Sequence, residues 1–415
     1  MLTDQKITTT MKLRTTTILF FASILTYAQQ ISKTEESFVD SVMNSYFKSN
    51  GPGAVILIAK NNIPVLKKSY GLANIELNVK NKPEYVFNIG SMSKQFTALC
   101  ILKLVQDGKV SLQDDIKKHL TDYNSHGHKI TIENILNHTS GIKNYSDKDD
   151  FFPKSVTDIS KDDLRKYFEN DSLFFEPNTN WSYCNSGYVL AGLIVEKVSG
   201  KSLAEFLTEN IFKPCGMENT FVGNDDSVFV NSVSGYDNVQ GLENTFEAKY
   251  KPAQYMSWTY SYGAGGIIST LDDLLKYNNS LLSYKIIKKE LLDKAWAPYI
   301  LPNGNSTNYG LGWAVGNYQG LKFVAHGGGL NGFRSYGILF PNEQLYIAVL
   351  SNTSAKTPVT YATPIAFKIA GKPLPNLKNT ALDKKLMEEY KGVYSIYSPA
   401  HDFLPSERYV TINDN

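Results

Sequence analysis

The chain has 415 residues, 42% of them apolar, with 42 Lys and Arg against 40 Asp and Glu and a formal net charge of +2. That length and apolar content can bury one substantial core or two, and no charge block marks a disordered tail. Balanced charge argues against a nucleic-acid partner, which demands a basic face.

Near the start, Lys12 and Arg14 precede the apolar run Ile18 to Leu25 and the small-residue site Thr26-Tyr27-Ala28, with Met11 as an alternative start. This is the pattern of a secretory signal, so residues 1–28 are expected to be a signal peptide and the mature protein to be periplasmic or secreted. The apolar run is far below the ~20 residues that span a bilayer, so no stable membrane span is expected after cleavage. No Cys follows the cleavage site, which gives no sign of a lipid anchor.

Phe38, Val39, Val42, Met43, Tyr46 and Phe47 recur at helical spacing and predict an amphipathic helix over 36–48. Residues 53–59 read as a buried strand, Asn61-Asn62 as a turn and 65–70 as the hairpin partner. A long helix then opens at Ser91 and stops near Gly108; it is apolar on most faces, as a buried element is. From about 110 to 300 the signals are mostly helical. Thr131 opens a short helix ended by Gly141, residues 187–198 form another ended by Gly200, Ser202-x-x-Glu205 is a capping box, and Thr270-x-x-Asp273 starts one more. Strands are predicted at 311–315, 322–325, 335–340 and 345–351, and a last helix, interrupted by Pro364, at about 359–370. After Pro373-Leu374-Pro375 the composition turns polar, with one plausible helix over 383–390 and a strand-like stretch over 392–394. Residues 29–375 are thus one expected domain, and 376–415 a short tail, either an appendage or the truncated beginning of a second domain. The order of elements predicts an α+β fold: an antiparallel sheet built from both chain ends, flanking helices, an inserted helical lobe and a cleft at the seam.

Ser91 and Lys94, at i and i+3, share a helix face, so the hydroxyl lies within reach of an amine that could take its proton. Backbone N–H groups at a helix start would face the developing oxyanion. The spacing recurs at Ser45 and Lys48, inside a helix that reads as scaffold. Tyr183 and Asn185 stand at a loop-to-helix junction, and His326-Gly327-Gly328-Gly329 ends a strand in glycines that let a ligand approach the backbone. The alternatives are a helix cap and a surface Lys for the first pair, a packed aromatic and a helix cap for the second, and a satisfied core imidazole for His326. Cys100, Cys184 and Cys215 are too few for a disulfide framework. His119, His126 and His128 cluster without partner Cys or a helical His pair, so neither a metal nor an organic cofactor is expected.

In this order the segments resemble the serine β-lactamase and penicillin-binding-protein superfamily, specifically the branch of class C β-lactamases, D-amino-acid peptidases and related esterases. Over roughly residues 35 to 372 the resembling segments are Gly90-Ser91-Met92-Ser93-Lys94, Leu136-Asn137-His138-Thr139-Ser140-Gly141, Tyr183-Cys184-Asn185, Tyr262-Gly263-Ala264-Gly265-Gly266, Tyr309-Gly310-Leu311-Gly312-Trp313 and His326-Gly327-Gly328. The resemblance implies a β-lactamase/transpeptidase-like fold and an acyl-enzyme on Ser91, with Lys94 and Tyr183 sharing the proton work. It gives Asn185 to the substrate amide or the Lys94 amine, and the backbone N–H groups of Ser91 and Gly329 to the oxyanion. His138 is expected to brace the site. The third motif normally begins with Lys; His326, with an ordinary pKa near 6.5, is largely neutral at pH 7, so peptidase or esterase activity is favoured over β-lactam hydrolysis. Arg334 is the candidate to restore a cation for a substrate carboxylate, and the aromatic run Tyr250, Tyr255, Trp258, Tyr260 and Tyr262 a candidate cleft lining. The implied partner is a small-molecule or peptide substrate, cell-wall fragments included; the other reading is a penicillin-binding or muropeptide-sensing protein that does not turn over.

Overall fold

The computed structural model describes residues 30–239, 250–355, 357–373, 392–396 and 406–410. The expected signal peptide and the helix over 383–390 lie outside the described residues. Helix α1 (Lys33–Tyr46) begins three residues before the periodic stretch, because Ser32 and Glu35 close a capping box over its first turn. Strands β1 (Ala54–Lys60) and β2 (Ile63–Tyr70) form the predicted hairpin. Helix α2 (Ser93–Gln106) is buried on almost every side, α3 spans Asn185–Ser199 and α4 spans Leu271–Leu282. Strands β3 (Ala314–Tyr318), β4 (Leu321–Leu330), β5 (Phe333–Phe340) and β6 (Leu345–Ser351) follow, then α5 (Val359–Ile369).

The six strands form one antiparallel sheet in the order β3-β4-β5-β6-β1-β2. The two chain ends meet where β1 pairs with β6, Ala54 opposite Ser351 and Lys60 opposite Leu345. Strand β1 is apolar throughout because both its faces are covered. Ala54, Ile56 and Ile58 pack in a cluster with α1 and α5, while Val55, Leu57 and Ala59 alternate into the larger cluster that holds α2 and the inserted lobe. The α+β architecture predicted from element order is therefore present.

Several boundaries differ from expectation, each for a local reason. Residues 310–313 are a turn rather than the start of β3: Gly310 N–H donates to the Trp313 carbonyl at 2.8 Å and Gly312 has φ of 97°. Strand β4 does not stop at Ala325 but runs through the glycines to Leu330, since β5 pairs with every one of them. Pro364 lies inside an unbroken α5; burial of Tyr361, Ala362, Ile365, Ala366 and Ile369 on the sheet offsets the ~3 kcal/mol that a helical Pro costs. The helix opened by Thr131 ends at Leu136 instead of Gly141. The lobe between α2 and β3 is not wholly helical: Phe87–Asn88, Ile267–Ser269 and Phe221–Val222 form a three-stranded sheet that ties the approach to Ser91 to the glycine segment. In the tail, Gly392–Ile396 is a strand and pairs with Ser406–Val410.

Asn352, at the end of β6, knits the halves together. Its Oδ1 accepts from Gly53 N–H at 2.7 Å and its Nδ2 donates to the carbonyls of Leu72 at 3.0 Å, both out of water, and of Ser234 at 2.9 Å, which is part-buried. Asn352→Leu strands these backbone groups without partners, and we expect a loss of about 3 kcal/mol in chemical denaturation.

Candidate active site

Ser91 sits one step ahead of where the helical pattern puts it. Gly90–Met92 form a 3-10 turn and α2 starts at Ser93. Gly90 has φ of 49° and donates its N–H to Asn88 Oδ1 at 2.9 Å; a Cβ there would stand 2.7 Å from the Gly329 nitrogen. Only Gly can turn the chain this sharply against β4. The turn presents Ser91 to a cleft of about 370 Å³ that is also lined by Tyr183, Asn185, Gly328 and Gly329. Ser91, from the turn, and Gly329, from β4, thus border the same cleft.

Lys94 is 0% exposed. Its Nζ lies 3.2 Å from Ser91 Oγ, 2.7 Å from Asn185 Oδ1 and 2.8 Å from the Ala264 carbonyl, with the Tyr183 ring centroid 4.8 Å away. Burial without a carboxylate partner holds its amine well below the ordinary Lys range. A neutral amine has two protons and one lone pair. With the protons given to Asn185 and Ala264, both acceptors only, the lone pair is left for the Ser91 hydroxyl.

Tyr183 faces the Ser91 hydroxyl; burial pushes its phenol well above the ordinary value, a shift that the contact with Ser91 only partly opposes. His138 braces this side as expected: its Nδ1 accepts from Cys184 N–H at 3.1 Å, its carbonyl accepts from Ser182 N–H, and its ring packs 4.4 Å from that of Tyr183. His326, expected against substrate, is 1% exposed and stands behind the cleft wall. Alternation along β4 puts its ring on the same face as Val324 and Gly328, the face that carries α2 and the Ser91 turn, with its ring centroid 6.4 Å from that of Tyr183. Nδ1–H donates to the Gly327 carbonyl and Nε2 accepts from the Tyr309 hydroxyl at 2.9 Å, and burial, aided by nearby Lys94, lowers the pKa to about 3. The imidazole is neutral and its nitrogens are satisfied. Arg334 does line the cleft, with Nη1 donating to the carbonyls of Leu330 and Phe333.

Three contributors escaped the sequence reading. Asn144 Oδ1 accepts from Asn185 N–H at 3.0 Å and Ser146 Oγ accepts from Asn185 Nδ2 at 2.9 Å, so both orient Asn185. They stand about forty residues away in sequence and belong to no periodic pattern. The third is the Ala264 carbonyl, which has no side-chain signature. It is aimed at Lys94 by a kink at Tyr262, whose φ of 31° and ψ of −128° are strained for a residue with a Cβ. Of the aromatic run, only Tyr260 lines the cleft; Trp258 covers Gly223 and Tyr262 packs on Gly192. Ser45 and Lys48 are spent on local carbonyls of α1. His119 meets Asp114, His128 meets Glu176, and His126 meets the Glu169 carbonyl.

The Beta-lactamase family signature matches residues 31–370. The chain belongs to the Beta-lactamase family. With it the chain falls in a serine hydrolase superfamily. This family member is 29% identical over 358 residues to Penicillin-binding protein 4* of Bacillus subtilis (strain 168), covering 82% of this chain and 78% of that protein. It is 28% identical over 375 residues to Protein flp of Staphylococcus aureus (strain MRSA252), covering 88% and 72%. The octameric penicillin-binding protein homologue from Pyrococcus abyssi superposes with a TM-score of 0.71 at 27% identity, over 88% of this chain and 83% of that one. The D-amino acid amidase from Ochrobactrum anthropi SV3, complexed with D-phenylalanine, shares the fold with a TM-score of 0.69 at 20% identity, over 81% and 99%.

The seam between β4 and the Ser91 turn has no room for a Cβ. At Gly328 it would meet the Ile89 carbonyl at 1.9 Å, whereas at Gly327 the nearest atom is 3.6 Å away. Gly328→Ala should slow labelling of Ser91 by a fluorophosphonate by about 10²-fold, the cost of a roughly 1 Å misplacement, and Gly327→Ala should cost far less.

Proposed function

We infer that this protein is a serine hydrolase that cleaves an amide or ester through an acyl-enzyme on Ser91, with Lys94 as the base. The observation that carries this reading is the buried amine held between Ser91, Asn185 and Ala264. Lys94 takes the Ser91 proton as Oγ attacks the carbonyl, and the N–H groups of Ser91 and Gly329 stabilise the oxyanion. Tyr183, a neutral phenol at this pH, gives its proton to the departing amine or alkoxide and is reprotonated from Lys94. Water then attacks the acyl carbonyl, its proton passing by way of Lys94, and Ser91 is released with its own proton restored.

Among substrates, D-amino-acid amides and peptides, including cell-wall fragments, come first, then small esters, and β-lactams last. That order is supported by the buried, neutral His326, which supplies no cation for an antibiotic's carboxylate. The amidase from Ochrobactrum anthropi shows that the fold can accommodate such chemistry. Export through the segment at 11–28 would place the protein where these substrates occur.

Intact mass after exposure to a fluorophosphonate should show an adduct on wild type and none on Ser91→Ala. With penicillin we expect a slow or weak adduct; a penicillin adduct that forms fast and never decays, with no turnover of any amide or ester, would instead favour a sensor. The pH profile follows from two directions. The ammonium form of Lys94 is inactive, so activity rises with pH along a limb well below the ordinary Lys pKa of 10.5. The raised Tyr183 pKa moves any alkaline fall above 10.0. Lys94→Arg, a guanidinium that stays protonated, should lose about 10²–10⁴-fold in kcat/KM at every pH.

A further inference from the structure

We propose that Asp147 receives an ammonium group of the acyl part of the substrate, and so selects compounds carrying a free amine. This deepens the reading above and rests on it for the position of the acyl group. Asp147 lines the cleft that Ser91 lines, at the end of the turn Tyr145–Asp147. That turn is laid directly on Asn185. Asn144 Oδ1 takes the Asn185 N–H, Ser146 Oγ takes the Asn185 Nδ2, and Asn144 Nδ2 donates to Asp147 Oδ1 at 2.7 Å. The carboxylate is therefore registered, through two neutral groups, to the side chain that grips Lys94, on the helical-lobe wall opposite the strand that bears Arg334.

Its charge is left uncompensated. Among the described residues no Lys or Arg forms an ion pair with Asp147, although basic residues surround it in sequence. Lys148 is committed to Asp171 at 2.8 Å, Lys154 to Asp150 at 2.7 Å, and Lys143 reaches Ser172. Arg334 turns Nη1 to the carbonyls of Leu330 at the end of β4 and Phe333 at the start of β5. Asp147 is exposed at the mouth of this cleft, where partial desolvation raises its pKa against the hydrogen bond from Asn144, which lowers it. A carboxylate so placed favours a cation in the cleft and disfavours an N-acylated residue, whose amide offers no charge. The cation has two chemical sources, the α-amine of an amino-acid amide or the amine at the end of a longer side chain.

Calorimetry on the Ser91→Ala protein separates them without turnover. Three ligands are compared: D-phenylalanine amide, Nα-acetyl-D-lysine amide, and N-acetyl-D-phenylalanine amide, with the L series alongside. We expect one of the two cationic ligands to bind about tenfold or more tightly than the uncharged one, and Asp147→Asn in the same background to erase the difference. The α-amine is the source if the phenylalanine amide leads, the side-chain amine if the lysine derivative leads. Equal affinities, no binding by any ligand, or a preference that survives Asp147→Asn would overturn the proposal. Fluorophosphonate labelling of the wild type is read separately: a preference that depends on Asp147 in a protein that is never labelled would sink the hydrolase reading and leave the ammonium site standing.

Discussion

Everything at the seam depends on one buried amine. A Lys taken out of water without a carboxylate is costly when charged, and the protein gives Lys94 two fixed acceptors and a hydroxyl in place of a counter-ion. The neutral form is thereby favoured and its lone pair directed. Each of the three contacts is delivered by a different part of the chain: Ser91 by the turn before α2, Asn185 by the first residue of α3, Ala264 by the segment that follows the strained kink at Tyr262. No one of these parts could hold the amine alone.

The fold exists in the form it does because those parts must converge within an ångström. The six-stranded sheet supplies a rigid wall; β4 passes so close to Ile89 that Gly328 cannot carry a Cβ. The small three-stranded sheet fixes the other side, with Ile89 N–H donating to the Ile267 carbonyl and Ser93 Oγ accepting from Ile267 N–H. Ser91 is clamped between two sheets, one assembled from the chain ends and the other from the inserted lobe. Such clamping keeps rotamers and backbone N–H groups preset for charge that develops in a reaction.

Polarity is distributed unevenly across the cleft. The sheet wall lines the cleft with glycines and Arg334, while the imidazole of His326, on the same face, is buried beside Tyr183 and neutral. The lobe wall carries the amides and hydroxyls that orient Asn185, and a carboxylate with no ion-pair partner among the described residues.

Much of this was legible before any coordinates. Buried-strand runs read at 53–59 and 345–351, the apolar helix after Ser91 and the capping residues Ser202 and Thr270 are local signals, and local physics places them. The glycine and Ser-x-x-Lys motifs likewise declare the seam, because backbone freedom and side-chain spacing are written in neighbouring residues. What only tertiary structure decided is whatever depends on contacts across the chain: which face of β4 His326 occupies, that Asn144 and Ser146 reach Asn185, that a bare carbonyl at Ala264 completes the amine's shell. A main-chain oxygen has no letter of its own, and a strand's two faces look alike until a partner covers one of them. Charge and identity come from sequence; desolvation, which lowers the pKa of both Lys94 and His326, comes only from packing.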